Sequence, residues 1–429
     1  MRKKQAISFI TTQSLRKVIK TMVFRVAWRS IWRNRRRTLI TTASIAMGLV
    51  IAIFFIAMAE GVYEQIVNEG VRMQAGHITL ENPNYQTAPA IDLRIGDVEN
   101  IRKYIKRIEA VEEAKLLIWG QGVANSGAGA VGVSIMGVEP AIEIKNSPLA
   151  RDIVAGSYLA EDDDRKAVLG EHLARELKLE LGSKIVITTN NAQGELVEEL
   201  CRVKGIFRTG SDEIDGYFIQ IPLNFARRVF GLRADEATQL GVILKRPQDQ
   251  QMVMKEIKPM VSGKNIDVLP WQQVLPEVAS YIRIDRVSNW VFQGLLFVII
   301  LFTILNTLLM SVMERELEFA VLLALGTPVR KLKGQLFLES VFIGCLGCFV
   351  GLTLGGAAAF ALQIWGLDLA FLMPEGVTIS GFAISTTVHA LVTPAVFLWT
   401  GGIVLGAMLL LSLLIMRRIT KVRLAETLR

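Results

Sequence analysis

The sequence predicts a membrane protein of four transmembrane helices carrying one large α+β domain outside the bilayer, with a β-rich lobe inserted in that domain. Three observations carry this expectation. Four apolar runs each reach the roughly 20 residues that cross a bilayer at about 1.5 Å per residue. Between the first and second lie 230 more polar residues whose pattern alternates between strand and helix periods. Of the 48 Lys and Arg residues, 21 lie in the short segments 1–38, 314–334 and 417–429, which flank the spans on one side, and none lies in 366–394. An apolar content of 51% and a mean hydropathy of +0.39 fit a chain whose apolar mass partly faces lipid.

Residues 1–38 hold twelve Lys and Arg and no acid. Within them "MVFRVAWRSIWRNRRR" (22–37) sets Phe24, Trp28, Ile31 and Trp32 on one helical face and Arg25, Arg29 and Arg33 on another. That is the pattern of an amphipathic helix lying in the membrane interface. Nucleic-acid binding, another use of a basic run, is made improbable by the span that follows at 39–59. A cleaved signal peptide has an apolar region of about 7–15 residues and a small-residue cleavage site. This run is 21 residues long and leads into Glu60, Tyr63 and Glu64, so it reads as an uncleaved anchor.

Residues 60–289 read as the exported domain, acidic with 27 Lys and Arg against 33 Asp and Glu. Helical spacing continues from the span over 60–75. "GHITLE" has a strand pattern, and 97–109 a helical one with Val98, Ile101, Ile105 and Ile108 on one face. Strands are expected at 113–119 and 131–138. The order returns as strand 240–246, helix 248–260 and strand "NIDVLP", giving two β-α-β halves of one domain. Between them, 139–239 is rich in short strands and turns, with hairpin signals at Asn190-Asn191 and Gln193-Gly194, and is expected as the inserted lobe. The acidic triplet Asp162–Asp164 lacks the spacing of a calcium loop and reads as a solvated turn. Pro276 is placed to start a helix that runs into the second span. Unbroken from 276 to 313, it would be about 57 Å long, with about 20 Å projecting as a stalk. A stiff stalk transmits motion where a Gly/Ser tether does not.

The remaining spans are 290–313, 335–365 and 395–416, joined by a connector at 314–334 and a loop at 366–394 and followed by a tail at 417–429. The connector carries four basic residues and the tail five, while the loop carries none. Both termini and the connector are therefore expected in the cytoplasm and the loop outside.

The residues of familiar catalysis are missing. Cys201, Cys345 and Cys348 imply no disulfide framework, and the last two, though spaced CxxC, sit in an apolar helix where packing is the ordinary role. The three His are scattered, and no GxxxxGK[ST], HExxH or GxSxG occurs. Within the spans the acid is Glu339, and there is no Lys or Arg, so no ion relay and no metal site is expected. Small residues do recur at every fourth position: Ser44, Gly48 and Ala52 in the first span, Gly347, Gly351 and Gly355 in the third. They read as packing within the chain or as a seam between subunits. The bulky set Phe54, Phe55, Met58, Phe292, Leu296 and Phe297 reads as core or lipid-facing, or as the lining of a greasy pocket between two protomers.

The connector itself, "SVMERELEFAVLLALGTPVRKLKGQLFLES" (311–340), opens on a charged cluster, continues as an apolar run and turns at Thr327-Pro328 into a basic patch of Arg330, Lys331 and Lys333. Its segment "MERELEFAVLLALGT", with "WRSIWRNRRRTLIT" before the first span, "FLES" entering the third and "AETLR" at the C-terminus, resembles the FtsX-like permease family of ABC systems. In the exported domain "SIMGVEP" (134–140) and "VLGEHLARELKLELGSKIVI" (168–187) resemble the family too. The family includes MacB-type and lipoprotein-releasing permeases, and the resemblance covers nearly the whole chain.

The resemblance implies a coupling helix after the second span that docks on a separate ATPase. Glu314, Arg315, Glu318, Ala324 and Gly326 match the family motif E-R-x-x-E-I-G-x-x-R-A-x-G. Phe319 stands for its Ile, Ala320 for its first Gly, and Leu323 for its second Arg, removing a forked donor. It also implies that ATP and magnesium bind the ATPase, with no cofactor on this chain, and that a second permease copy or a paralogue completes a dimer. Membrane lipids, and a periplasmic carrier or adaptor, are further implied partners, in a bacterial inner membrane with the large domain periplasmic. The implied mechanism is mechanotransmission, moving lipoproteins or related lipidic substrates from the outer leaflet. A MacB-type efflux permease for peptides or drugs, an FtsX-like regulator of a cell-wall hydrolase, and a membrane receptor or sensor are the other readings.

Overall fold

The computed structural model describes residues 25, 28–29, 31–33, 35–74, 76–314, 316–368, 377–379, 382–384 and 387–419. They fall into two compact units. A membrane unit takes the chain up to Val62, Asp285–Leu367 and the chain from Val388 on, and a sheet unit takes Tyr63–Ile284 with Asp368–Thr387. In chain order the elements used below are α1 (Arg35–Met73), β1 (Ile78–Glu81), α2 (Val98–Ile105), β2 (Val111–Ser126), β3 (Gly129–Val138) and β4 (Ile153–Gly156). There follow β5 (Lys166–Gly170), β6 (Lys184–Asn190), β7 (Leu196–Phe207), β8 (Phe218–Pro222), β9 (Gln239–Leu244), α3 (Gln250–Val261) and β10 (Asp267–Pro270). The chain closes with α4 (Pro276–Met313), α5 (Glu316–Ala324), α6 (Val329–Trp365) and α7 (Pro394–Ile419).

In the membrane unit α1, α4, α6 and α7 are long and apolar enough to cross a bilayer. Ile45, Leu49, Ile300, Ile304, Ile343 and Met408 form a core between them. Leu295, Val298, Ile299 and Phe302 of α4 stay exposed, as a helix bathed in lipid allows. α4 begins at Pro276 and runs unbroken to Met313, as its sequence predicts. α6 begins at Val329, earlier than the expected 335, so Arg330, Lys331 and Lys333 ride on its first turns instead of lying in a loop.

The sheet unit is built on one ten-stranded sheet ordered β10-β1-β9-β2-β3-β8-β5-β7-β4, with β6 pairing both β2 and β7. Val98, Ile101 and Ile105 of α2 bury the stripe that their spacing predicts, and α3 lies over the expected helix 248–260 and buries Val253, Ile257 and Val261. The β-rich lobe is present, but its wall starts before residue 139. Strand β2, expected only over 113–119, runs on to Ser126 and changes neighbours on the way. Its first part pairs with β9, ending at Leu117↔Gln239. Its last part pairs with β3 on one side and β6 on the other. Because β6 also pairs with β7, the strands β2, β3, β8, β5, β7 and β6 close into a ring. Each strand of the ring has two neighbours within it, and β4 joins β7 beside it as an edge strand.

Strands β1 and β10 are antiparallel neighbours (Ile78↔Pro270), so the chain enters the sheet after Met73 and leaves it toward Pro276 side by side. The Trp271 amide donates to the His77 carbonyl at 3.0 Å. The last turn of α1 is fastened to the sheet by charge. The Arg72 guanidinium forks onto Glu112 (2.9 and 3.3 Å) and donates to Asn146 Oδ1 at 2.8 Å. Beneath it Lys115, 1% exposed, donates to the Arg72 carbonyl at 2.7 Å and to Glu143 at 2.8 Å.

Candidate functional site

The short helix α5 divides its residues between two faces. Phe319 and Ala320 are fully buried, and Phe319, with Leu323 at the rim, packs on Leu332 and Leu336 of α6. Leu317, Val321 and Leu325, each four positions from the next, point the other way and are 63%, 44% and 77% exposed. Gly326 ends the helix at φ 86°, in the left-handed region where a side chain is strained. The amides of Gly326 and Thr327 donate to the carbonyls of Leu323 and Leu322, both at 3.0 Å, and Pro328 opens α6.

A second element reaches this helix. Arg33 Nη2 donates to both carboxylate oxygens of Glu318, at 2.7 and 2.9 Å. Arg33 is positioned by its neighbours: Ile31 is buried in the helical core, Thr38 Oγ1 donates to the Ile31 carbonyl at 2.8 Å, and Trp28 meets Phe342 of α6 edge-on at 5.5 Å. Trp28, Ile31 and Arg33 are thus folded onto the membrane unit, with Trp28 and Trp32 about half exposed.

The residues predicted for ATPase docking are therefore not one surface. Glu314 and Ala324 are exposed, Glu318 is ion-paired, and Gly326 is a helix terminator. Arg315 lies outside the described residues. Phe319 requires correction: its ring is turned into the chain and fastens α5 to α6, so it is not available to a partner. Sequence reasoning did not single out the exposed face of Leu317, Val321 and Leu325. Their four-residue spacing was readable, but in "LEFAVLLALG" nearly every position is apolar, which hides the phase of the helix.

The other predicted sets are also sorted by the packing. A side chain at Gly347, Gly351 or Gly355 would meet Ile45, Leu49 and Ile53 of α1, all within the same chain. Gly48 receives Ile300 of α4, Ala52 is fully buried and half-buried Ser44 donates to the Ile40 carbonyl. The six bulky residues do not line one pocket within the chain. Phe54, Phe55 and Phe292 form an edge-to-face chain with centroids 5.4 and 5.3 Å apart. Met58 packs toward Ala57 and Ala359, and Leu296 is half-buried. Phe297 borders an apolar gap of about 110 Å³ between α4 and α7. In the sheet unit two of the acidic triplet are ion-paired, Asp163 with Lys204 and Asp164 with Arg228, and Asp162 is exposed. Among the described residues no three His, Cys, Asp or Glu gather as metal ligands would.

Comparison with known proteins places these features. Residues 38–260 match the MacB-like periplasmic core domain, and residues 290–424 match the FtsX-like permease C-terminal domain. An uncharacterized ABC transporter permease of Methanocaldococcus jannaschii is 22% identical over 81% of this chain and 86% of its own length. The lipoprotein-releasing system transmembrane protein LolC of Neisseria meningitidis serogroup B is 22% identical over 74% of this chain and 76% of its own. The pyoverdine export ATP-binding/permease protein PvdT of Pseudomonas fluorescens is 27% identical over 78% of this chain but only 53% of its own length.

Proposed function

The chain belongs to the FtsX-like, MacB-type family of ABC transporter permeases, and from that premise we propose that it is the membrane subunit of a transporter that releases lipoproteins or related lipidic substrates from the outer leaflet of a bacterial inner membrane. It works with a separate cytoplasmic ATPase, which holds ATP and magnesium, and with a second permease copy or a paralogue. A periplasmic carrier or adaptor receives the substrate. Both termini lie in the cytoplasm and the sheet unit in the periplasm. The chain performs no hydrolysis of its own.

The observation that carries the reading is α5: one face is anchored by Phe319 and the other exposes Leu317, Val321 and Leu325. A helix built that way is a grip for a partner, since its inner face ties any push on it to α6. The unbroken course of α1 and α4 from the membrane spans into the sheet unit supports mechanotransmission. The lipoprotein assignment draws support from the extent of the match to LolC. It is tested by purifying the full chain in nanodiscs with its ATPase and identifying bound material by mass spectrometry. A triacylated peptide that leaves on ATP addition is the expected result. Its reproducible absence, with an adaptor bound instead, would favour efflux, the reading supported by the match to PvdT.

A further inference from the structure

A cleft of about 670 Å³ opens in the sheet unit at the point where β2 changes neighbours, and its lining comes wholly from that unit. β2 leaves β9 at Leu117 and takes up β6 at Gly122, so the intervening backbone edge has no strand beside it. Side chains complete it instead: the Trp119 amide donates to Thr238 Oγ1 at 2.9 Å, and Thr189 Oγ1 donates to the Gln121 carbonyl at 2.6 Å. The volume of the fork lies within the ~300–1,000 Å³ usual for small-molecule sites.

The lining has a definite chemistry. Trp119 and Phe218 meet edge to face with centroids 5.6 Å apart. Gly120 leaves room for the Phe230 ring, which would lie 2.2 Å from any Cβ placed there. Around these rings stand the amides of Gln74, Gln121 and Asn190, whose side chains, among the described residues, make no hydrogen bond within the chain. Asp92 is the single charged residue of the lining, again among the described residues. A phosphate or carboxylate would find no cation here. An acyl chain would bury amides with nothing to bond, at about 1–3 kcal/mol for each group. A ligand with an apolar face for the rings and hydroxyls for the amides, each of which both donates and accepts, meets the whole surface.

The geometry points to a binding site for an uncharged saccharide, with Trp119 and Phe218 as the apolar floor and Gln121, Asn190 and Asp92 reading hydroxyls. This goes beyond the transport reading and stands or falls separately from it. The test titrates the full chain in nanodiscs, free of sugar-headed detergent, with chitotriose and with maltotriose. Binding is followed by saturation-transfer NMR and tryptophan fluorescence. Saturable binding of at least one trisaccharide is expected, weakened at least about tenfold by Gln121→Ala or Asn190→Ala. Both side chains are exposed, so the variants should keep the parent's thermal unfolding. Three results would overturn the proposal: no binding of either sugar at about 10 mM, binding unaffected by both substitutions, or an uncharged tripeptide binding in their place.

Discussion

Arg33 and Glu318, 285 positions apart, meet through one guanidinium nitrogen that reaches both carboxylate oxygens. Both side chains are about half exposed, so the pair is worth at most about 1 kcal/mol to stability. Its effect is positional, tying Arg33, just ahead of α1, to α5. Arg33→Glu and Glu318→Arg should each lower substrate-coupled ATPase activity several-fold with little change in unfolding temperature, and the double reversal should recover most of it. Additive losses in that double-mutant cycle would show that the two residues do not act through each other.

The two faces of α5 should respond differently. Leu317→Asp or Leu325→Asp should abolish co-purification of the ATPase while leaving the permease folded. Phe319→Ala empties a buried site, with about 3 kcal/mol of packing lost, and should loosen α5 itself. Hydrogen exchange over residues 316–336 separates the two, rising for the Phe319 variant alone.

Close packing of α6 on α1 depends on bare backbone at Gly351, where a Cβ would lie 2.8 Å from Leu49 and 3.0 Å from the Ala46 Cα. Gly351→Leu should therefore destabilise the bundle by roughly 1–3 kcal/mol or more and lower its yield in membranes. Gly294→Ala is the control, because nothing lies within 4 Å of its Cβ position. Equal behaviour of the two variants in thermal unfolding would remove the packing argument.

Lys115 and Glu143 are both 1% exposed and bond at 2.8 Å. Lys115→Met strands the carboxylate and frees the Arg72 carbonyl, at a cost of about 3–5 kcal/mol. Lys115→Met with Glu143→Leu should recover much of that stability by leaving no buried charge. Denaturant unfolding of the full chain, read at the sheet-unit tryptophans Trp119 and Trp271, measures both.

Burial, helped by the Arg72 charge, holds the His77 pKa down at about 4, from the ordinary 6.5. Its Nδ1 accepts the Leu244 amide at 3.2 Å, a bond that a protonated ring cannot keep. Between pH 6.5 and 4 the unfolded chain takes up a proton that the folded one refuses. Stability contributed by the neutral ring is thus present above pH 6.5 and lost as pH falls through that window, by up to about 3 kcal/mol. Exchange of the β1 and β9 amides, corrected for intrinsic rates, should accelerate across the same range. His77→Gln should flatten the profile.

Much of this architecture was legible in one dimension. Span length and charge asymmetry need only composition, and the stripes of α2 and α3 need only a 3.6-residue period, because one face of each meets water. The motif around Glu314–Gly326 located α5. It did not tell an exposed residue from a packing residue, and Phe319 and Leu317 are indistinguishable in an apolar run until α6 is laid against one side.

The sequence by itself determined the number of spans, the domain between the first two, the place of the connector and the absence of a nucleotide-binding loop, since each is a property of local composition. Only the tertiary structure decided that Phe319 turns inward, that Arg33 holds Glu318, that the Gly351 stripe receives α1 and that β2 forks to leave a cleft. Each of these depends on which surface lies opposite. Helices apolar on every side, and a strand long enough to serve two neighbours in turn, leave that choice to long-range packing.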